Sequence, residues 1–291
     1  MKATGVLKRA VAAAIFFLPF SGSTAMDYRI DVARSISWER QELTISTAFD
    51  LASAGLKMPA GRSQAEVFAD MEFPRLAQPT LFALPVDSST TVESMVRSGA
   101  LTPADISAIA SSATRSASVL SGDLRTLTTT YRVDMRALAA GLVKHHQAAQ
   151  SPKTMMTRPT RPYTGIVVYA DEELPVHGTK GSSLASPCFF PKIWDTEMNL
   201  IYERNMTDPG IARSSGIAGY GASQDPSAYS ARVGKNPLRI LARGLFGILP
   251  TDPVIDRDDA LKILSSEENK ALLRDGKVVI VLNDRSLGTL R

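Results

Sequence analysis

Three histidines, one cysteine and a cluster of aspartates are the residues of this 291-residue chain best suited to chemistry. A catalytic zinc needs three convergent ligands, and no His-Glu-x-x-His or paired-cysteine spacing is present. Adjacent His145 and His146 point about 100° apart on a helix, so they read as a solvated helix end that favours cations. Cys188 and His177 would make a nucleophile only if the fold brought thiol and imidazole together. The flanks of the cysteine, Ser-Pro-Cys-Phe-Phe-Pro, match no nucleophile signature, and a free cysteine is commonly just buried.

Gly216-Ile-Ala-Gly-Tyr-Gly has G-x-x-G-x-G spacing, not the G-x-G-x-x-G that cradles a pyrophosphate, and opens no helix. Asp252, Asp256, Asp258 and Asp259 lack the calcium-loop spacing and its closing glutamate; acids at a helix N-terminus account for them. Glu172 and Glu173 are neighbours on a loop with nothing to single them out as a glycosidase pair. The sequence therefore assigns no catalytic, cofactor-binding or metal-ligating residue, and no cofactor.

The elements that would position any site are short strands with fewer helices, not strictly alternating. That predicts an α+β fold of two small modules with mixed or antiparallel sheets. In residues 26–146, alternation around Trp38 predicts two short strands or a hairpin over Ile36 to Ala48. A helix after Gly61 carries Ala65, Phe68 and Met71 and is expected to end or kink at Pro74. Thr102-Pro-Ala-Asp is a helix start, Leu124 to Val133 a strand, and Met135 to Lys144 a helix. Residues 85–120, rich in Ser and Thr, are unusual enough to suggest an insertion.

Residues 147–162, with three prolines, predict an extended connector to a module over 163–291. There, Thr164 to Tyr169 and Lys277 to Leu282 are apolar runs expected as buried strands, the latter covered on both faces. Cys188 to Trp194, Leu200 to Tyr202, Gly216 to Tyr220 and Pro237 to Phe246 predict further strands. Asp256 caps one helix, and Ser265 with Glu268 forms a capping box for the next.

Formal charge is +4, but residues 1–25 hold Lys2, Lys8 and Arg9 and no acid, so their removal lowers it to +1. Charge at that level does not recommend nucleic acid as a partner. The same segment has a basic start, an apolar run from Ala10 to Phe20, and small residues at Ser23 and Ala25. It predicts a secretory leader cleaved after Ala25, a periplasmic location, and a mature chain without a transmembrane segment. One cysteine forms no internal bridge, and none sits near the cleavage site to take a lipid.

The succession Thr164-Gly-Ile-Val-Val-Tyr-Ala, Pro187-Cys-Phe-Phe-Pro-Lys-Ile-Trp-Asp, Ile201-Tyr, Gly216-Ile-Ala-Gly-Tyr, Arg232-Val-Gly-Lys-Asn-Pro-Leu and Asp258-Asp-Ala-Leu-Lys-Ile-Leu carries a resemblance. It is similar to bacterial envelope proteins of the FlgP-like small-lipoprotein family and to exported spirochaete proteins, over roughly residues 36–66 and 160–283. The lipid-anchor cysteine of FlgP-like members is absent, so tethering is not carried over. Gly165, Pro191, Gly219, Asn236 and Pro237 carry the motif, as fold-determining positions. The resemblance implies a non-catalytic periplasmic structural or interaction protein, with envelope or flagellar proteins as partners. A periplasmic hydrolase and a ligand- or peptidoglycan-binding module stand as alternatives.

Overall fold

The structure is a computed structural model that describes residues 29–288. The expected leader and its expected cleavage after Ala25 fall outside the described residues. Strands β1 (Ile30–Ser37) and β2 (Glu42–Asp50) form the antiparallel hairpin. Every second residue of β2 turns inward: Leu43, Ile45, Thr47 and Phe49 are buried, as period-two patterning requires.

Helix α1 (Ala60–Ala83) continues past Pro74 and Pro79, so Pro74 does not end it. Its buried stripe is also different: Gly61, Ala65, Ala69, Phe73, Ala77 and Leu81 recur at every fourth residue, while Met71 is exposed. Small residues in that stripe let the helix lie close to the sheet. That continuous contact outweighs the roughly 3 kcal/mol that each interior proline costs.

Helix α2 (Val92–Arg97) and α3 (Pro103–Ser111) follow, the latter capped by Thr102 as expected, with Asp105 bonding back to complete a reciprocal cap. Strands β3 (Thr114–Arg115) and β4 (Val119–Leu120) both pair with β5 (Thr126–Asp134), giving the order β1-β2-β5-β3. Residues 85–120 are integral to the module, since Leu101, Ile106 and Ala110 enter the main core. Helix α4 (Arg136–Leu142) ends two residues before the expected Lys144.

The second module contains β6 (Ile166–Ala170), the small hairpin β7 (Leu174–Pro175) and β8 (Ser182–Ser183), β9 (Ile193–Asp195) and β10 (Leu200–Tyr202). Then come α5 (Pro209–Ser215), β11 (Gly219–Gly221), α6 (Ser230–Val233), β12 (Leu238–Phe246) and β13 (Asp252–Ile255). Helices α7 (Arg257–Leu264) and α8 (Glu267–Arg274), strand β14 (Val278–Leu282) and the short α9 (Asp284–Leu287) complete it. The sheet order is β10-β9-β13-β12-β6-β14-β11, with β12, β6, β14 and β11 mutually parallel. One antiparallel and one mixed sheet, each packed by helices, make the fold α+β.

All five residues of β14 are buried. Val278, Ile280 and Leu282 enter the main core, whereas Val279 and Val281 pack with Val167, Tyr229 and Val233 on the opposite face. Two local expectations shift. Ser266, not Ser265, caps α8, accepting from Asn269 N. Cys188 to Lys192 is not a strand, because Pro187 and Pro191 interrupt it and the Phe189 and Phe190 amides bond outside the sheet.

Those amides reach the other module. Phe189 N donates to Pro85 O (3.2 Å), Phe190 N to Val86 O (2.9 Å), and Leu249 N to Ser88 O (2.9 Å). The loop after α1 is thereby held between two loops of the second module. Trp38 continues the contact, with its ring 5.2 Å from Phe189 and 6.1 Å from Tyr220. A single apolar core runs through both modules.

Residues 147–162 contain no helix or strand, yet are fastened along the second module. Ala149 N donates to Asn205 O, Arg158 N to Ser265 Oγ, and the Arg158 guanidinium meets Asp258 at 2.7 Å. Buried Asn269 finishes the attachment, donating to Arg161 O and accepting from Tyr163 N.

Candidate functional site

The residues that sequence reasoning weighed for chemistry are dispersed. His145 is half-buried, its Nε2 2.9 Å from Thr207 O; it sits at the module junction rather than on a solvated helix end. His146 is exposed. His177 is exposed on the turn between β7 and β8, with its ring 6.1 Å from Phe246.

Cys188 is fully buried, and its backbone is clamped by Tyr220, whose hydroxyl donates to Cys188 O (2.8 Å) and accepts from Cys188 N (3.1 Å). Burial, with Asp252 nearby, pushes the thiol well above its ordinary range. A thiol held neutral and shut away from solvent is a packing residue.

The aspartates divide. Asp256 caps α7, Asp258 pairs with Arg158, and Asp259 with Lys262, the roles expected at a helix start. Asp252 is different. It is buried beneath the junction, accepts from Lys192 N (3.0 Å), Thr251 Oγ1 (3.0 Å) and Trp194 Nε1 (3.3 Å), and takes a further bond from the Ser88 side chain. Burial raises its pKa even though these donors favour the ionised form. Among the described residues, no group of three or more His, Cys, Asp or Glu is placed to hold a metal ion.

Most of the motif residues gather at the amino ends of the parallel strands. A β-carbon on Gly165 would stand 2.4 Å from Val233 Cβ, so only glycine fits where β6 begins beneath α6. Asn236 exchanges two bonds with Thr164, N to Oγ1 and O from N, and Pro237 follows, buried, at the entry to β12. Gly219 lies against Arg232, whose guanidinium binds the carbonyls of Ser215, Gly216 and Gly276. Pro191 is buried on the junction loop.

The opposite end of the sheet is hollow. Beyond the carboxyl ends of β12 and β14, Leu249, Pro250, Arg285 and Ser286 face the first module across a crevice of about 270 Å³. Buried Ile36, Trp38 and Leu84 supply the first module's side, with Pro85, Thr91 and Ala83. Leu184, Ser186 and Pro187 close the remaining wall. In open sheets with parallel strands, ligands sit outside the carboxyl ends, and module junctions are favoured places for pockets. The lining is apolar, with three hydroxyls and one charged side chain, Arg285. Sequence reasoning missed this site because its residues come from five remote segments and each reads locally as core or turn.

Both modules are similar to domains of one spirochaete protein. Residues 29–141 match the family model of the N-terminal domain of Treponema pallidum Tp0624, and residues 165–284 match the model of its second domain. The Tp0624 order is kept, and the stretch between the two matches holds the end of α4 and the connector. The Tp0624 resemblance agrees with the spirochaete likeness expected from the order of segments. No curated protein matches the chain.

Proposed function

We propose that this chain is an exported, non-catalytic interaction protein of the cell envelope that recognises its partner through the junction crevice. The observation that carries the reading is the crevice itself, apolar, walled by both modules and set beyond the carboxyl ends of β12 and β14. Cys188 is sealed in the core while His177 is exposed on a turn, which supports a reading without a thiol–imidazole pair. The leader-like residues 1–25 support export to the periplasm. The similarity of segment order to FlgP-like envelope proteins supports an envelope or flagellar partner. Among the described residues, no helix is long and apolar enough to cross a membrane. A ligand-binding module is the second reading, favoured by the buried floor of Ile36, Trp38 and Leu84, which suits a small enclosed guest.

The test is complementation of a deletion strain, with a thermal melt of each variant. Ala83 is exposed on the crevice rim, so Ala83→Trp fills the opening without entering the core. It is expected to fold normally and fail to complement, while Cys188→Ser and His177→Ala complement fully. Full complementation by Ala83→Trp, or its loss in a folded Cys188→Ser or His177→Ala protein, overturns the reading.

A further inference from the structure

We propose that the connector between the modules docks on an anionic lipid surface, with Met155 and Met156 at the headgroup level and Lys153 and Arg161 on the lipid phosphates. The crevice takes no part in this contact.

The apolar part is a pair of side chains held in water. Met155 is fully exposed and Met156 is 59% exposed; among the described residues they are the one pair of chain neighbours with large exposed apolar side chains. Single exposed apolar residues are ordinary, but a contiguous pair on a fixed turn marks a contact surface. The turn is fixed by Thr154, whose Oγ1 donates to Met156 O (2.9 Å) and accepts from Met156 N (3.2 Å). On either side, Ala149 N and Arg158 N bond to the second module, so a fastened segment presents the tip. Residues 147–162 have no helix or strand to fit a shaped groove, whereas a fluid surface accepts an irregular segment and the flexible thioethers. The backbone stays in the hydrated interface, and only the side chains reach the acyl boundary.

The charge around the tip names the surface. No Asp or Glu occurs between Asp134 and Asp171, whereas Arg136, Lys144, Lys153, Arg158 and Arg161 do. Arg136 and Arg158 are taken by Asp134 and Asp258, and Lys144 interacts with Asp105. Lys153 and Arg161 are exposed and pair with no carboxylate of the described residues. Arg161 lies over the Tyr163 ring at 5.2 Å, a contact that leaves its charge uncompensated. On the helices beneath, Asp259 and Glu267 are already paired with Lys262 and Lys270, while Glu268 bonds to Ser266. An apolar tip between two uncompensated cations suits an anionic bilayer, whose phosphates attract the cations and whose boundary takes up the methionines. A free anion would meet the cations and leave the methionines in water.

The test is vesicle flotation of the exported form, expected to begin at Met26, so that the basic and apolar residues 1–25 take no part. Vesicles of phosphatidylcholine with about 30% phosphatidylglycerol are expected to bind the protein at least about tenfold more tightly than phosphatidylcholine alone. That binding should vanish in about 1 M salt, where the screening length is ~3 Å. The double variants Met155→Ser/Met156→Ser and Lys153→Gln/Arg161→Gln should each weaken it at least about tenfold, with unchanged melts because all four side chains are exposed. Met71→Ser, on the exposed side of α1, should bind as the wild type does. Inorganic phosphate at about 10 mM should not displace the vesicles, since it offers the methionines nothing. Equal binding to both vesicles, or full binding by either double variant, overturns the proposal. Displacement by phosphate does the same, by assigning the cations to a free anion. So does a protein that ignores the vesicles yet fails to complement as Met155→Ser/Met156→Ser, because the tip would then belong to a protein partner.

Discussion

Gly247 approaches Ser88 so closely that a β-carbon on it would stand 2.4 Å from Ser88 Cβ and 2.8 Å from Ser88 O. The contact joins the loop after β12 to the loop after α1, so the fit between modules depends on a missing side chain. Gly247 also has φ of 114°, a region that other residues avoid. Gly247→Ala should therefore cost ~2 kcal/mol or more. Gly178→Ala, at φ of 80° but with nothing within 4 Å, should cost only the ~1 kcal/mol of backbone strain. Denaturant titration of both variants measures the difference, and equal losses would show that the module contact is loose.

Val279 packs between Val167 and α6 on the face of β14 away from the main core. Val279→Asp buries a carboxylate with no partner and should abolish cooperative folding, a loss of ~4 kcal/mol or more. Leu241→Asp, on β12 at 64% exposure, should change stability by less than ~0.5 kcal/mol. A soluble, cooperatively melting Val279→Asp protein would mean that this face of β14 is open to water.

Buried Asp195 accepts from Asn199 and Arg257, and these bonds outweigh burial to hold its carboxyl below the usual range. A depressed native pKa adds stability above the unfolded value near ~4, and that stability is lost as pH falls through the native value. Melting of the wild type should therefore drop on acidification from pH 5 to pH 2. Asp195→Asn should be less stable at neutral pH, with a gap that narrows toward pH 2. A constant gap across that range would show that Asp195 does not titrate with folding.

Cys188 should be inert to an aromatic disulfide reagent at pH 8 in the native protein and react with one equivalent in denaturant, because its thiol is buried and its pKa raised. Rapid native reaction, followed by absorbance, would place the thiol at the surface.

Export is tested by N-terminal sequencing of the protein from its host. Met26 is the expected first residue, since Ser23 and Ala25 satisfy the small-residue rule for cleavage. A chain that retains residues 1–25 would contradict it.

The parts of the fold legible in the sequence are those fixed by local rules. Thr102 with Asp105 announces a cap, Lys277 to Leu282 announces a covered strand, and Thr126 to Val133 has the β-branched content that β5 needs. Gly165 and Pro237 stand out for the same reason, since close approach and fixed φ restrict the residue type at one position. Misreadings arose where distant contacts decide. Pro74 looks like a stop until α1 is seen lying on a sheet through Phe73 and Ala77, and Phe189 looks like a strand residue until its amide is seen bonded to Pro85. The crevice was illegible because its volume is what remains between Trp38, Leu84 and Pro250 once three loops have packed.

The anchoring of residues 147–162 by Ala149, Arg158 and Asn269 gives the chain an unusual mechanical property. The covalent link between the modules bears little of the work of keeping them together, because backbone bonds at Pro85, Val86 and Ser88 and the shared core do that independently. Met155 and Met156 are exposed within the link, so a single protease cut there would leave two fragments that elute as one particle. The same cut would open a route to reassembling the protein from separately produced halves, each exchangeable without altering the other's sequence.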